Sequence, residues 1–244
     1  MKATQFEFRF RVLIVALLYI LGFWAPWTRY GAAAPATTAW LALCTIFARW
    51  GWLPLDRSTL FVTGLAILFA LAGAALRIWG TSYLGPSVVQ SPAMHAGQMM
   101  ASGPYRYVRN PLYLGTLLFS VGVSILMPPT GALFFLAANV LFYLRLILAE
   151  EAYLGTQIGP AYLDYCRRVP RLLPSLRPRM PASPVRAHWL HGVMGEVYPA
   201  GFALCLAVLA WRYNPELLIR CVLLCFGLSL ITRALLPRER FAGD

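Results

Sequence analysis

PLYLGTLLFSVGVSILMPPTGALFFLAANVLFYLRLILAEE spans residues 111–151. Two apolar runs, 112–128 and 131–149, meet at the uncharged MPPTG, residues 127–131, with Arg145 the one charge in the second. Each run is close to the roughly 20 residues that cross a bilayer as a helix. Two prolines and a glycine between them mark a tight turn, so the stretch predicts an antiparallel helical hairpin. A hairpin returns the chain to the side from which it came. The segments before residue 112 and after residue 149 therefore face the same side.

Working outward, further apolar runs lie near 12–28, 34–53, 59–79, 197–212 and 215–236, the second interrupted by Arg49. The chain has 244 residues, of which 59% are hydrophobic and 12% charged; soluble domains carry about 25% charged residues. The expected fold is all-α, a polytopic membrane helical bundle of about seven transmembrane helices. The first run lacks a small-residue cleavage pattern and ends in WAPW, so it reads as a span rather than a removable leader. Three regions are expected: amino-terminal helices at 1–84, a core at 85–178, and a linker with two further helices at 179–244. The polar stretches 80–111 and 150–196 are long for connections in so apolar a chain, and such segments usually carry function.

The formal charge is +12, from 21 basic and nine acidic residues. In a soluble protein that excess would suggest nucleic acid. Here the basic residues cluster beside apolar runs, as the positive-inside bias produces, and no nucleic-acid partner is expected. With seven spans, fourteen of the 21 basic residues fall on the side of the two polar segments, which places those segments in the cytoplasm. Lys2, Arg9 and Arg11 lie on the opposite side and pull the other way. The expected location is an integral, multi-pass position with the site facing the cytoplasm, in the plasma (inner) membrane if the source is bacterial. The five cysteines show no CxxC spacing and read as small buried hydrophobes. HWLH at 188–191 has metal-like spacing but no evident third ligand, so no metal is expected; interfacial polar residues beside Trp189 are the better reading. The basic, proline-rich stretch from Arg167 to Arg186 suits anionic lipid headgroups.

Glu150 and Glu151 follow the second run of the hairpin without a break. Adjacent carboxylates at the mouth of a span are costly unless they meet a partner or a wet cavity; a solvated helix end is the plainer alternative. The hairpin brings them near Arg109, Asn110 and Tyr113. Carboxylates, an amide, phenols and a guanidinium around one pocket would suit a zwitterionic ligand.

GPYRYVRNPLYLG, residues 103–115, resembles the GxYxxxRHPxYxG signature of the isoprenylcysteine carboxyl methyltransferase and phospholipid methyltransferase superfamily. EEAYLGTQIGPAYLDYCRRVPRLLP, from Glu150, resembles its second signature, and VVQ at 88–90 is similar to the carboxyl methyltransferase branch. The resemblance covers about residues 85–178. It implies a site for S-adenosylmethionine outside any Rossmann fold, and no GxGxxG motif is present. By the same resemblance Tyr105, Arg109, Asn110, Pro111, Leu112 and Tyr113 would line the cofactor cavity at the cytoplasmic end of the hairpin. Gln90, Gln98, Met99 and Met100 would close it, and Glu150 would hold the cofactor's amino group or ribose. Glu151 would brace Arg106 or Arg109. Glu150, Glu151 and Arg145 are the candidate catalytic residues. The prenylcysteine enzymes place a substrate-contacting arginine about one turn before the paired glutamates; Arg145 is the nearest here, five positions before Glu150 and so rotated on the helix. Asn110 stands where family members commonly carry histidine. It can donate and accept hydrogen bonds but cannot carry a proton, which argues against a general base there.

The resemblance implies an S-adenosylmethionine-dependent integral membrane methyltransferase acting on a lipophilic substrate that enters from the bilayer. VVQ and VPR lean toward carboxyl O-methylation of an isoprenylcysteine-like substrate. Phospholipid (ethanolamine) N-methylation is the alternative, and an NADPH-dependent, sterol reductase-like enzyme or a non-catalytic membrane scaffold would be of another class. Oligomeric state is open.

Overall fold

A computed structural model describes residues 2–27, 37–84, 102–212 and 214–235. Every regular element among them is helical. In chain order these are α1 (Gln5–Arg9), α2 (Arg11–Trp24), α3 (Ala39–Arg49), α4 (Leu55–Thr81), a 3-10 turn (Gly103–Arg106), α5 (Pro111–Ser124), α6 (Pro129–Ile158), α7 (Pro160–Arg168), α8 (Trp189–Gly195), α9 (Val197–Arg212) and α10 (Pro215–Leu235). Proline opens α5, α6, α7 and α10, at the position where a missing N–H costs nothing and a fixed φ favours the helix. Thr38 caps α3 by accepting from the Leu41 N–H at 3.3 Å, and Thr4 and Glu7 form a reciprocal capping box on α1.

Two helices, α4 and α6, are long and apolar enough to cross a membrane. The pair α8 and α9, bent by 68°, passes the same test together, giving up to three candidate spans among the described residues. Three further apolar helices, α2, α3 and α5, fall short of the expected lengths. The run 34–53 supplies only the 11-residue α3, about 16 Å long against a hydrocarbon core of about 30 Å. By contrast, the run expected to end at residue 149 continues as helix to Ile158. Glu150 and Glu151 therefore stand on a helix rather than in a loop. The stop comes at Gly159, whose φ of 71° suits glycine, followed by Pro160.

The chain divides into two compact units. One comprises Met1–Leu71 with Leu117–Ala149 and the other Ala72–Thr116 with Glu150–Asp244. In the first, α2 and α6 meet through glycine: a Cβ on Gly131 would lie 1.9 Å from the Gly22 carbonyl oxygen. Beside that contact the Tyr19 and Phe135 rings pack at 4.5 Å. Met127, fully buried in the hairpin turn, accepts a backbone hydrogen bond from Ala39 at 2.7 Å.

In the same unit Arg145 donates from Nε and Nη2 to the two carboxylate oxygens of Glu7, each at 2.9 Å. Glu7 also accepts the Thr4 backbone N–H at 2.6 Å. The Arg145 hydrogen bond, and then the Thr4 backbone, hold the Glu7 carboxyl at about 2, below its ordinary 4.5. A depressed carboxyl pKa stabilises the fold above the unfolded value and loses that contribution as pH falls through the folded one. The melting-temperature gap between wild type and Glu7→Gln in detergent should therefore shrink between pH about 4.5 and about 2. A gap that stays constant across that window would remove the ion pair's contribution.

In the second unit close packing again uses glycine. Gly80 lies against the Leu112 side chain, and Gly115 against the Gly73 carbonyl and Arg77. The last two helices pack through Gly201 against Cys225 and through the Tyr198 and Phe226 rings, 6.0 Å apart.

Candidate functional site

The second unit contains a cavity of about 110 Å3 that opens to solvent. The segment that leads into its wall begins at Gly103, whose φ of 47° and close contact with the Tyr83 ring leave no room for a Cβ. Pro104 follows in the 3-10 turn and is fully buried. This rigid entry places Tyr105 in the cavity wall, and Pro111 starts α5 so that Leu112 and Tyr113 follow on its first turn.

A second segment runs alongside and pins the first. Arg109 N–H donates to the Pro170 carbonyl, Ser175 N–H to Tyr107 and Arg179 N–H to Arg106, each at 2.9 Å. The Arg106 guanidinium donates from Nε to the Met180 carbonyl at 2.9 Å. Tyr165 donates its hydroxyl to the Tyr105 carbonyl at 2.8 Å. Burial pushes the phenols of Tyr105, Tyr162 and Tyr165 well above the ordinary tyrosine range, so all three remain protonated donors.

Glu151 is the electrostatic centre of this join. Its carboxylate accepts from Asn110 Nδ2 at 3.1 Å and from Arg171 Nε at 2.9 Å, and lies 3.4 Å from Arg109 Nη1. The Glu151 hydrogen bond raises the Arg171 pKa further, so the guanidinium stays charged. Of the two arginines expected to meet Glu151, Arg109 does so and Arg106 turns to the loop backbone. Glu151 thus ties α6 to the 103–110 segment and to the loop after α7. One donor is left over. The Nε–H of Arg109 is buried with no hydrogen-bond partner among the described residues, and Arg109 lines the cavity. Such a group costs about 1–3 kcal/mol unless something accepts from it.

The structure gathers Tyr105, Arg109, Asn110, Pro111, Leu112, Tyr113 and Glu150 around one cavity. Leu84, Leu154, Tyr162 and Tyr165 complete the wall; they were not among the expected cofactor residues, although Leu154, Tyr162 and Tyr165 belong to the second signature. Arg145 is not among the lining residues; its guanidinium is engaged by Glu7. Gln90, Gln98, Met99, Met100 and the VVQ triplet lie outside the described residues. Among the described residues no group of three or more His, Cys, Asp or Glu side chains could hold a metal ion.

The profile of the isoprenylcysteine carboxyl methyltransferase (ICMT) family matches residues 65–156, which carry α4's second half, the 3-10 turn and both arms of the hairpin. In this core the chain is similar to the ICMT family. Among relatives, methanethiol S-methyltransferase 2 of Bradyrhizobium diazoefficiens is 32% identical over 166 residues, covering 68% of this chain and 58% of that protein. Protein-S-isoprenylcysteine O-methyltransferase B of Arabidopsis thaliana is 33% identical over 78 residues, 32% of this chain and 40% of that protein. The protein-S-isoprenylcysteine O-methyltransferase of Schizosaccharomyces pombe is 30% identical over 113 residues, 45% of this chain and 48% of that protein. The matched parts thus span about half the length of these relatives. No solved structure matches the chain. The ICMT match ends at residue 156, shortly after the paired glutamates. The tyrosine-bearing α7, the pinning loop and the last helices lie beyond it.

Proposed function

We propose that the chain is an S-adenosylmethionine-dependent integral membrane methyltransferase. The observation that carries this reading is that one cavity is lined both by Glu150 and by Arg109, whose buried Nε–H has no partner among the described residues. A bound amino acid moiety supplies an ammonium for the first and a carboxylate for the second. Asn110, held by Glu151 and by the Arg171 carbonyl, keeps its amide fixed at the rim. Tyr105, Tyr162 and Tyr165 offer ring faces and neutral hydroxyls. Bound there, S-adenosylmethionine would supply a methyl group already activated on a sulfonium. What remains for the protein is alignment and exclusion of water, and alignment alone is worth roughly 7–11 kcal/mol of such a barrier.

The methyl acceptor we favour is the carboxylate of an isoprenylcysteine-like lipophilic substrate. It is ionised at neutral pH and needs no base, which agrees with Asn110 in place of histidine and with Glu151 being committed to three cationic or amide partners. A thiol acceptor is the second reading, favoured by the methanethiol S-methyltransferase relative, which covers more of this chain than the O-methyltransferases do. An amine would require deprotonation, for which Glu150, in the cavity wall, is the candidate.

Calorimetry on the purified protein should show binding of S-adenosylhomocysteine and none of NADPH; the reverse would overturn the methyltransferase reading. Transfer of a radiolabelled methyl group should then go to a farnesylcysteine analogue in preference to methanethiol or phosphatidylethanolamine.

For topology we propose that the cavity and the 150–196 segment face the cytoplasm. The expected seven crossings would leave the start of α2 on the opposite side, whereas Arg145, near the cytoplasmic end of α6, binds Glu7, so we place that start on the cytoplasmic side as well. In a background lacking the five native cysteines, Asn214→Cys should react with an impermeant thiol reagent in intact cells, and Ser183→Cys only after permeabilisation. Exchange of these two outcomes would invert the orientation. The pinned loop holds Leu173 and Leu176 outward, 83% and 100% exposed, beside Arg177 and Arg179. This pattern suits insertion among anionic lipid headgroups. A polarity-sensitive dye at Leu176→Cys should report an apolar setting in bilayers; an aqueous signal would exclude insertion.

A further inference from the structure

Arg77 lies toward the end of the apolar α4, where an ionisable group is expected to have a partner and a purpose. Its partner comes from 119 positions away, in the break between α8 and α9. Arg77 donates from Nε to Glu196 Oε2 at 2.7 Å and from Nη2 to Oε1 at 2.9 Å. Thr81 adds a hydroxyl donor to Glu196 Oε1 at 2.9 Å. The Glu196 side chain is 6% exposed, so it meets these partners largely out of water.

The geometry around the pair is tightly held. A Cβ on Gly192 would lie 2.7 Å from the Ile78 carbonyl oxygen, and His188 N–H donates to the Ser82 carbonyl at 2.7 Å. Both contacts press α8 onto the end of α4 and fix where Glu196 emerges. With two of its nitrogens on Glu196, the arginine has its third, Nη1, directed at the first turn of α5. It donates to Thr116 Oγ1 at 2.5 Å and to the Leu112 carbonyl at 3.5 Å, and Thr116 itself donates to that carbonyl at 2.9 Å. Leu112 lines the cavity between Pro111 and Tyr113. Both charges are also close enough to bear on the Tyr105 phenol in the same wall.

From this chain of contacts we infer that Glu196 is a positioning residue for the ligand cavity, acting through Arg77 on the first turn of α5. It lies outside residues 65–156, so the segment from α8 onward is part of the site's construction. The inference rests on the cofactor reading above. By it, the bent α8–α9 pair holds the Pro111–Tyr113 wall at the distance the bound ligand requires. A bidentate guanidinium clamp suits that role, because its planar fork fixes direction as well as distance.

The test compares S-adenosylhomocysteine affinity with thermal stability in detergent for wild type, Glu196→Gln, Glu196→Asp and Thr116→Val. Glu196→Gln should weaken binding at least about fivefold, and Glu196→Asp should recover most of that loss. Thr116→Val should weaken binding by itself and add little to Glu196→Gln, since both act through Arg77. A Glu196→Gln protein that melts earlier yet binds within twofold of wild type overturns the inference and leaves the cofactor reading standing. If wild type itself does not bind, both fall. Should Glu196→Gln not fold, Thr116→Val decides alone: unchanged affinity overturns the inference and weakened affinity supports it.

Discussion

Glu151→Gln should lower the thermal stability of the detergent-solubilised protein, whereas its neighbour Glu150→Gln should mainly weaken S-adenosylhomocysteine binding. The two carboxylates are adjacent in sequence, but on a helix they point about 100° apart, and their surroundings give them different roles. Glu151 is nearly buried and meets Arg109, Asn110 and Arg171. Removing one member of a buried ion pair costs about 3–5 kcal/mol. Arg171 is 42% exposed and keeps water, and glutamine still offers an acceptor to Asn110, so about 3 kcal/mol is expected. Glu150 lines the cavity instead. Loss of a charge-assisted hydrogen bond to ligand costs about 1.5–3 kcal/mol, roughly tenfold to a hundredfold in affinity. A crossed result, with Glu150→Gln unstable and Glu151→Gln defective in binding at full stability, would reverse the assignment. If neither change has an effect, the pair is a solvated helix end.

The difference between these neighbours shows what the sequence can and cannot disclose. The hairpin is legible because MPPTG combines a turn with a proline that opens α6. The cavity is legible in part because Tyr105 and Arg109 to Tyr113 are close in sequence and Glu150 follows the returning arm. The end of α6 is easily misplaced because an apolar run stops at the first charge while a helix does not. EEAYLGTQ continues with good helix formers until Gly159 and Pro160, which are the true stop signal. The run 34–53 overestimates its helix for the converse reason. Arg49 ends α3 and Gly51 follows with a φ of 67°, so apolar composition continues past the helix. Two features leave no local trace. The alignment of 103–110 with 170–180 uses backbone N–H and carbonyl groups, which nearly every residue has. Arg77 and Glu196 meet across nearly half of the chain; the only hint is Glu196 as the first carboxylate after Asp164, at the entrance to an apolar run.

Gly131→Ala should be among the most destabilising single-methyl changes in the first unit. The added Cβ would stand 1.9 Å from the Gly22 carbonyl oxygen and 3.1 Å from the Ala25 Cβ. The obstacle is helix backbone, so it cannot rotate away. The α2 and α6 helices must separate by about an ångström, losing dispersion contacts along their whole interface. Overpacking of this kind costs typically 1–3 kcal/mol and occasionally more, and a backbone clash belongs at or above the top of that range. Two other glycines make the comparison decisive. A Cβ on Gly22 would meet the Met127 sulfur at 2.7 Å and the Phe135 Cβ at 3.1 Å, side-chain atoms rather than helix backbone, so Gly22→Ala should cost about 1–3 kcal/mol, less than Gly131→Ala. A Cβ on Gly64, inside α4, would meet nothing within 4 Å. There alanine should stabilise the helix by up to about 1 kcal/mol, through propensity alone. The three substitutions add the same methyl group, so hydrophobicity cannot order them, and only the identity of the struck atom can. Melting temperatures in one detergent should rank Gly64→Ala above wild type, Gly22→Ala below it and Gly131→Ala lowest. If Gly131→Ala melts with Gly64→Ala, α2 and α6 do not approach through these two glycines.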